Sequence, residues 1–537
     1  MMSEPKPMTI KDVRVLYDLA IYNCVFFGPY TQVVYENVAL GETRICTNIE
    51  LAQEATQLAG GLRTLGIEKG DRVLVMLPNR PEVLIAYQAI ARAGAVIIPV
   101  LPLLKPPEVY YIAANSGAKA IVTSTPFLPT LRNALADLST MRHMIVTDTD
   151  EELAGSPHVI PYKTVVTQGE EYADHSLSDL DEHAPTADDM AAILYTSGTT
   201  GQAKGVVLTH SSLIANALNG WHGASPDGDP RENFGETHLA ILPLAHAYGI
   251  LMLDIAYLSG VKIVMHPRFD VHAVLSAIER HRITFFAGVP AMFVALLYTP
   301  DADSYDTSSL RNCGSGSAPL PMEVLKGFEQ KFHCELGEGY GLSEASAMLT
   351  SHRTGMPRKP GSVGTSIPGV ELRIVDENDH EVPTGEVGEI IARGPNVMQG
   401  YYNMAEATTE TLRNGWLHTG DMGRLDEDGY LYIVERKKDL IIRGGFNIYP
   451  RDVEEVLASH PAVIEAAVVG VPSQRMGEEV KAFVVVSSPI DVEALITYCR
   501  ERLANYKTPS QIEIVDALPR NTIGKIDKKE LRKRHVS

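Results

Sequence analysis

The chain has 537 residues, of which 45% are apolar and 21% are charged. This composition is typical of a globular protein and excludes wholesale disorder or a fibrous repeat. The 47 basic and 67 acidic side chains give a formal net charge of -20, which disfavours nucleic acids and anionic membrane surfaces as partners because like charges repel.

Cysteine usage and the absence of targeting patterns predict a cytoplasmic protein. The five cysteines are scattered without a CxxC pair, which predicts reduced thiols instead of a disulfide framework or a cysteine zinc site. We find no secretory signal, peroxisomal address or lipidation motif. The most apolar stretch, 83–104, is interrupted by polar residues and prolines, so it predicts a buried helix over 81–93 and a strand over 95–100, with no transmembrane segment.

Over the first half of the chain, helical patterns alternate with short runs of β-branched residues. LAQEATQLAGGLRTLG is amphipathic and is followed by the strand pattern DRVLVMLP, and AVIIPV, AKAIVTS and HMIVTD are similar runs. This alternation predicts right-handed βαβ units and a mostly parallel sheet. The acidic segment 170–189 is predicted to be a solvated connector, and the polar segment 223–236 a surface loop.

The pattern changes to short strands and turns at about residue 361, which predicts an antiparallel β subdomain over about 361–437. A compact pattern of helix, two strands, helix and strand follows. We therefore predict an α/β fold with a large N-terminal domain over 1–437, built on parallel-rich sheets plus the β subdomain, and a small α+β domain over 438–537.

The sharpest motif is YTSGTTGQAKGV at 195–206, between a predicted strand and the apolar segment VVLTHSSLIANAL, interpreted as a helix. Glycines let backbone N–H groups turn inward, hydroxyls add donors and Lys204 adds a positive charge, so the motif predicts a polyphosphate site. The spacing differs from the P-loop form because Lys204 precedes Gly205. A flexible Gly/Ser linker is the weaker alternative.

Two further glycine clusters are GSGSAPL at 314–320 and GEGYGLSEA at 337–345. Neither matches GxGxxG, so a Rossmann dinucleotide site loses its main support. The second cluster approaches the GxSxG motif of serine hydrolases but ends in alanine, so a loop hydroxyl is the favoured interpretation of Ser343. Glu344 suits magnesium held mainly by water and phosphates, although taken alone it would more often be a surface acid.

Three positions near the C-terminal end carry weaker signals. Asp421, in TGD, is predicted at a loop tip, where its carboxylate would accept hydrogen bonds from a ribose diol; a plain turn aspartate is an equal alternative. Arg436 and Lys438 lie where the subdomain gives way to the small domain, and a charged linker would explain them. Lys525, in PRNTIGKI, follows a glycine turn within a basic tail, where a solvated lysine is the default.

Taken together, these segments resemble the adenylate-forming superfamily of acyl-CoA synthetases, firefly luciferases and peptide-synthetase adenylation domains. The resemblance covers almost the whole chain, and its most specific motifs, in the family's order, are YTSGTTGQAKG, EGYGLSE, TGD, ERKKDLIIRGGFNIYP and PRNTIGK. It implies an AMP-forming carboxylate–CoA ligase that uses ATP, Mg²⁺ and coenzyme A on a small-molecule carboxylic acid. It also implies a mobile C-terminal domain that carries the catalytic lysine. A homodimer is left open.

The resemblance implies a role for each matching residue at the nucleotide. Lys525 would bridge the substrate carboxylate and the α-phosphate, and Glu344 would hold magnesium. The other nucleotide contacts would be Thr196, Ser197, Gly198, Thr199, Thr200 and Lys204 at the β- and γ-phosphates, Gly316, Ser317, Ala318, Gly339, Tyr340 and Gly341 around adenine, Ser343 at a phosphate, and Asp421 with Arg436 at the ribose.

Other matches concern the second half-reaction and the acid. Lys438 would be the hinge, and His246 would form a gate beside the acyl pocket. Two positions depart from the family pattern: Glu435, where many relatives have Gly or Asp, and Asp452, where the pattern has Glu. The residues near the CoA tunnel would be Gly445, Phe446 and Asn447.

The segments FFAGVPAMF and RGGFNIYP look most like fatty-acyl-CoA ligases, which makes a medium- to long-chain fatty acid the first expected substrate and an aromatic or alicyclic acid the second. An amino-acid adenylation domain is disfavoured because no acid follows Pro243 to pair an α-amino group. A luciferase-like oxidase uses the same adenylating residues and stays open. A serine esterase acting through Ser343 is the alternative from another class. Small residues beside the gate would leave room for the acid: Ala245, Ala247 and Gly249.

Overall fold

The computed structural model describes residues 8–152, 157–170, 184–196, 202–224, 229, 231–353, 355–473, 475–521 and 525–534. Within these ranges the strands form two large parallel-rich sheets, two smaller antiparallel-rich sheets and a two-stranded ribbon, with helices packed on the sheets. The predicted α/β fold class is confirmed.

The first large sheet has eight described strands and is parallel except at one end. The strands in spatial order are Gly400–Tyr401, Lys204–Thr209, Met190–Thr196, Val96–Pro99, Arg72–Val75, Ala120–Thr123, His143–Val146 and His158–Pro161. The helices of this part of the chain are Leu16–Phe27, Asn48–Thr64, Pro81–Arg92, Pro106–Ser116, Leu128–Leu135 and Tyr162–Gln168.

The second large sheet has seven described strands, all parallel except the edge pair formed by Thr31–Asn37 and Glu42–Thr47. Its order from the other edge is Glu335–Glu338, Asn312–Ser315, Phe285–Gly288, Thr237–Ala240, Lys262–Met265, Thr31–Asn37 and Glu42–Thr47. The helices between and beside these strands are His210–Ala224, Ala247–Ser259, Val271–His281, Pro290–Leu297 and Met322–Phe332.

The remaining sheets are mainly antiparallel. The subdomain sheet contains Glu371–Val375, Gly388–Arg393, Trp416–Leu425, Leu412–Arg413 and Leu431–Arg436, beside the helix Ala405–Thr411 and the ribbon Thr350–Ser351 with Thr365–Ser366. The last sheet contains Phe446–Ile448, Ile441–Arg443, Gly477–Val486, Val463–Ser473 and Gln511–Ile514, with helices Pro450–Ala458, Val492–Arg502 and Lys528–Lys533. The short 3₁₀ turns are Ile10–Asp12, Thr125–Phe127, Ala302–Ser304, Ser343–Ala345 and Lys437–Asp439.

Local sequence explains where several helices begin and end. Thr47 and Glu50 form a capping box ahead of Asn48–Thr64, because the Thr47 N–H donates to the Glu50 carboxylate at 2.8 Å while Thr47 Oγ1 accepts from Glu50 N at 3.2 Å. Helix Ala247–Ser259 begins after His246 and ends at Gly260, whose φ of +66° favours glycine.

The apolar stretch forms helix Pro81–Arg92, buried throughout, and strand Val96–Pro99, as predicted. In the part of the chain that the structure describes, every helix is too short or too polar to cross a bilayer. All five cysteines are free thiols. Residues 171–183 of the predicted connector and 225–228 and 230 of the predicted loop lie outside the described residues.

Two local predictions are wrong. The segment VVLT does not open a helix: it belongs to strand Lys204–Thr209, which pairs antiparallel with Met190–Thr196, and the helix begins at His210. β-Branched residues favour the strand, and the hairpin pairing satisfies their backbone groups. Asp421 does not lie at a loop tip but inside the ten-residue strand Trp416–Leu425, where it pairs with Arg436 of the neighbouring strand.

Candidate active site

A cleft of about 2180 Å³ opens at the carboxyl ends of the second large sheet and is bounded by the subdomain sheet and the C-terminal segment. This is the edge at which open α/β sheets bind ligands. Most of the predicted site residues line it: Thr196, Lys204, His246, Gly316, Ser317, Ala318, Gly339, Tyr340, Gly341, Ser343, Glu344, Asp421, Arg436, Lys438 and Lys525.

Two groups of predicted residues are not placed in the cleft. Ser197, Gly198, Thr199 and Thr200 lie outside the described residues. The predicted CoA residues form an exposed hairpin away from the cleft, where the Phe446 ring stacks on Tyr506 at 4.9 Å; they are Gly445, Phe446 and Asn447.

One wall of the cleft carries a carboxylate that two side chains hold. Asp421 is buried and lies opposite Arg436 in the register of two adjacent strands. Arg436 Nε is 3.2 Å from Asp421 Oδ1, and the Tyr340 hydroxyl donates to Oδ2 at 2.7 Å. The charge of Asp421 raises the pKa of Arg436. Two bonds leave further lone pairs of this carboxylate free to accept from a ligand diol.

Glycines allow close backbone packing beside Tyr340. A Cβ on Gly341 would stand 1.9 Å from the Ala347 carbonyl oxygen, and one on Gly339 3.3 Å from that of Thr350. Ser317 has a φ of +71°, in the left-handed region. These backbones form a wall without side chains next to an aromatic ring, a surface suited to a flat heterocycle.

A second carboxylate is brought to the cleft by the 3₁₀ turn Ser343–Ala345. The Tyr401 hydroxyl donates to Glu344 Oε1 at 2.8 Å, and Lys204 Nζ lies 4.7 Å from the centre of the Tyr401 ring. Tyr401 was missed by the sequence analysis because no local motif marks it. It links Glu344 and Lys204 from a strand about 200 residues beyond Lys204.

These residues fit a magnesium ion. Glu344 keeps one oxygen that no described side chain binds. Among the described residues, no cluster of three or more His, Cys, Asp or Glu side chains stands ready to hold a metal. A single carboxylate is what Mg²⁺ uses when phosphates and water supply its other ligands.

Lys525 approaches the same carboxylates from the C-terminal segment. Its N–H donates to Asn521 Oδ1 at 3.0 Å, and the adjacent Ile526 forms a bridge with Arg520. Burial and, to a smaller extent, the charge of Arg436 lower the pKa of Lys525 to about 8, although Asp421 and Glu344 act in the opposite direction. The ammonium group is therefore within electrostatic reach of both acids.

His246 caps helix Ala247–Ser259, and its Nδ1 accepts from Tyr248 N at 3.4 Å. Burial lowers the pKa of His246 to about 4, and the charge of Lys525 acts in the same direction. The imidazole is consequently neutral near pH 7, so it can flank the reacting groups without adding a charge.

An apolar slot extends from His246 between helix Ala247–Ser259 and the second large sheet. The helix turns Tyr248, Met252 and Ile255 toward it, at spacings of four and three residues. On the sheet, Gly314 and Gly337 face each other in register, and a Cβ on Gly314 would lie 2.9 Å from the Tyr248 hydroxyl. The missing side chain at Gly314 makes room for Tyr248 against the sheet, whereas a Cβ on Gly337 would meet only the Cys313 carbonyl oxygen, at 3.9 Å, so Gly337 leaves space in the slot.

One of the predicted small residues serves another purpose. Ala245 and Ala247 line the cleft as expected. A Cβ on Gly249 would instead meet the Pro243 carbonyl oxygen at 2.3 Å, so Gly249 lets the helix pack on the preceding turn and does not widen the slot.

The esterase alternative finds no support in this geometry. Among the residues that the structure describes, no histidine hydrogen-bonds to the hydroxyl of Ser343. A serine nucleophile needs a base within hydrogen-bond reach.

Comparisons with known proteins agree with this site. The protein-family model described as AMP-binding enzyme matches residues 29–402, and the family model of the AMP-binding enzyme C-terminal domain matches residues 452–525. A long-chain-fatty-acid–CoA ligase of Bacillus subtilis is 38% identical over 90% of this chain and 89% of its own. A feruloyl-CoA synthase of an Amycolatopsis species is 38% identical over 91% of this chain and 94% of its own.

Solved structures give the same picture. The anthranilate CoA ligase AuaEII in complex with anthranoyl-AMP has a TM-score of 0.88 at 27% identity, covering 98% of this chain and 99% of that one. ATP-bound MatB from Rhodopseudomonas palustris has a TM-score of 0.81 at 31% identity, covering 96% and 99%. The chain belongs to the AMP-binding enzyme family. The predicted class, an AMP-forming acid–CoA ligase using ATP and coenzyme A, is confirmed.

Proposed function

We propose that this enzyme activates a medium- to long-chain fatty acid with magnesium and ATP and transfers the acyl group to coenzyme A. The apolar slot carries the choice of acid. The helix stripe that lines it is aliphatic or aromatic, and Gly337 leaves space on the sheet. Each buried methylene contributes about 0.8 kcal/mol, so a slot of this kind favours longer chains.

An aromatic acid is the second candidate, supported by rings in the slot. The Tyr248 side chain borders Gly314 and Gly316, and Phe285 lies beyond it. Aromatic rings pack well against such groups. The feruloyl-CoA synthase and the anthranilate ligase among the relatives are named for aromatic acids, whereas the Bacillus subtilis relative is named for long-chain fatty acids.

In the first half-reaction a carboxylate oxygen attacks the α-phosphorus of ATP, and the bond to the β-phosphate oxygen breaks, releasing pyrophosphate. Both reactants are anions, so their repulsion forms much of the barrier. Lys525 supplies a positive charge at the junction between them. When bound at Glu344, Mg²⁺ supplies further charge compensation at the phosphates. Asp421 and Arg436 hold the ribose, while Thr196 and Lys204 lie on the phosphate side.

In the second half-reaction the CoA thiolate attacks the acyl carbonyl and AMP leaves. The thiol needs the space next to the carbonyl that Lys525 occupies, so Lys525 has to withdraw. We place the hinge at Lys438, in the 3₁₀ turn Lys437–Asp439, and the domain boundary at 437/438. Rotation there would bring the hairpin of Gly445, Phe446 and Asn447 toward the cleft in a cytoplasmic enzyme.

A panel of acids tests the proposal. Saturated fatty acids of increasing length, benzoate, anthranilate and ferulate are incubated with ATP, Mg²⁺ and coenzyme A, and AMP is measured. We expect kcat/KM to rise by up to about fourfold per methylene until the slot is full. Lys525→Ala serves as the inactive control.

Two outcomes would contradict the proposal in different ways. Preference for ferulate or benzoate over every fatty acid would replace the proposed substrate with the second candidate. AMP release that depends on none of the acids would overturn the ligase function itself.

A further inference from the structure

A lysine of the final helix is shared by two carboxylates. Lys528 Nζ lies 3.0 Å from Glu454 Oε1 and 3.5 Å from Glu435 Oε2. The three side chains are 18%, 22% and 10% exposed for Lys528, Glu454 and Glu435. Burial raises the pKa of Glu435, while the charge of Lys528 lowers it. The acids around Lys528, which also include Asp439, raise its pKa.

The two carboxylates differ in where they are attached. Glu454 lies on helix Pro450–Ala458, in the same small domain as Lys528, and Glu454 Oε1 also accepts from Val468 N at 2.8 Å. Glu435 lies on strand Leu431–Arg436, on the other side of the proposed hinge and next to Arg436. The Glu435–Lys528 contact, here called the cross-hinge pair, therefore joins the two parts that must separate.

The cross-hinge pair is connected to Lys525 by a short, hydrogen-bonded segment of the chain. Lys528 is the first residue of its helix, and the preceding Asp527 accepts from Glu530 N at 3.0 Å while its own N–H donates to the Pro519 carbonyl at 2.8 Å. These bonds fix the short segment that follows Lys525. Fixing Lys528 against the strand thus also fixes the distance of Lys525 from Arg436 and Asp421.

We propose that Glu435 is a positioning residue for adenylation: it holds Lys528, and through it Lys525, over the nucleotide in this conformation and releases it on rotation. The inference deepens the proposed function and rests on it. Glu435 is one of the positions at which the sequence departs from the family pattern. Its longer side chain supplies the carboxylate that reaches Lys528.

Because two carboxylates share Lys528, breaking its contact with Glu435 costs little free energy. A charge that loses its sole partner in a half-buried site carries a large desolvation cost. Lys528 keeps Glu454 during rotation, because both travel with the small domain. Glu435 therefore adds stability to the adenylation conformation while leaving the ammonium group paired in the other one.

Glu435→Gln tests the proposal against a matched control, Glu454→Gln. Adenylation is measured by acid-dependent exchange of labelled pyrophosphate into ATP. Thioester formation is measured with supplied acyl-AMP and coenzyme A. We expect Glu435→Gln to lower adenylation by about tenfold, the effect of losing one charge-assisted contact. Thioester formation should be unchanged or faster. Glu454→Gln should change both half-reactions alike and lower the melting temperature.

Lys528 offers a second pair of variants. Lys528→Arg retains the charge and should keep adenylation within about twofold, whereas Lys528→Met should lose adenylation more than thioester formation. A melting curve separates this loss from unfolding. Equal losses in both half-reactions for Glu435→Gln, or no loss in either, would overturn the positioning role. Wild-type enzyme without exchange on any acid would overturn the proposed function as well.

Discussion

The two sides of the cleft are built differently. On one side, Asp421 and Arg436 face each other on paired strands and Tyr340 donates to the same carboxylate. On the other side, Lys525 is held by the bridge of its neighbour Ile526 with Arg520 and by ion pairs of the six-residue helix Lys528–Lys533. Strand pairing is hard to undo, whereas ion pairs exchange readily with water.

This difference divides the labour between the two sides. The strand-borne side keeps its geometry whichever conformation the small domain adopts, so it serves nucleotide binding in both half-reactions. Lys525 contributes only in the conformation in which the small domain is docked on the cleft, so it serves adenylation. A change on the first side should affect both half-reactions, and a change on the second should affect the first half-reaction alone.

Removing the Lys525 ammonium group should produce the largest difference between the two half-reactions. Lys525→Ala should lower adenylation roughly 1,000-fold, since one preorganised charge at the reacting groups is lost. Thioester formation from supplied acyl-AMP should stay within a few fold. Pyrophosphate exchange and thioester formation measure the two rates, and equal losses would refute the division.

Asp421→Asn should produce the next largest effect, and on both half-reactions. The substitution leaves Arg436 without its charged partner and removes an acceptor for the ribose diol. We expect a loss of about 30-fold, equal to about 2 kcal/mol, in kcat/KM for ATP. Thioester formation should weaken to a similar degree in its KM for acyl-AMP. A loss confined to adenylation would contradict the binding role.

The pH dependence of adenylation should report the charge state of Lys525. Because the pKa of Lys525 is about 8, its charged form predominates below pH 8 and is lost as the pH rises. Adenylation measured as kcat/KM should fall by about tenfold between pH 7 and 9. Thioester formation should show no such fall. Lys525→Arg, whose guanidinium stays charged, should remove the decline, and a flat wild-type profile over this range would count against the assignment.

The smallest effect is expected at the acyl slot. In Gly314→Ala, the new methyl group would crowd the Tyr248 hydroxyl. Overpacking of this kind costs about 1 kcal/mol or more, so kcat/KM for a long-chain acid should fall about fivefold while that for a short acid is kept. Gly249→Ala, which does not face the slot, should lower stability without shifting chain-length preference. The opposite pattern would show that the acyl chain binds elsewhere in the protein.

Sequence predicted the α/β fold class and the buried helix and strand at 81–100, because these leave strong local patterns. The charged residues Asp421, Arg436 and Lys525 leave only weak local signals, and the resemblance to the family predicted their roles. It missed contacts that tertiary pairing creates. Glycine and aspartate in TGD suggest a turn, yet pairing with the strand Leu431–Arg436 draws Asp421 into the sheet. The Tyr401–Glu344 bond joins residues 57 positions apart, and no spacing rule connects them.

A crystal structure of the wild-type enzyme with ATP and an unreactive fatty-acid analogue would show where the nucleotide and the acyl chain bind. We expect ribose hydroxyls within hydrogen-bond distance of Asp421, the α-phosphate next to the Lys525 ammonium and the acyl chain along the stripe of Tyr248, Met252 and Ile255. A nucleotide bound away from both Asp421 and Lys525 would contradict it.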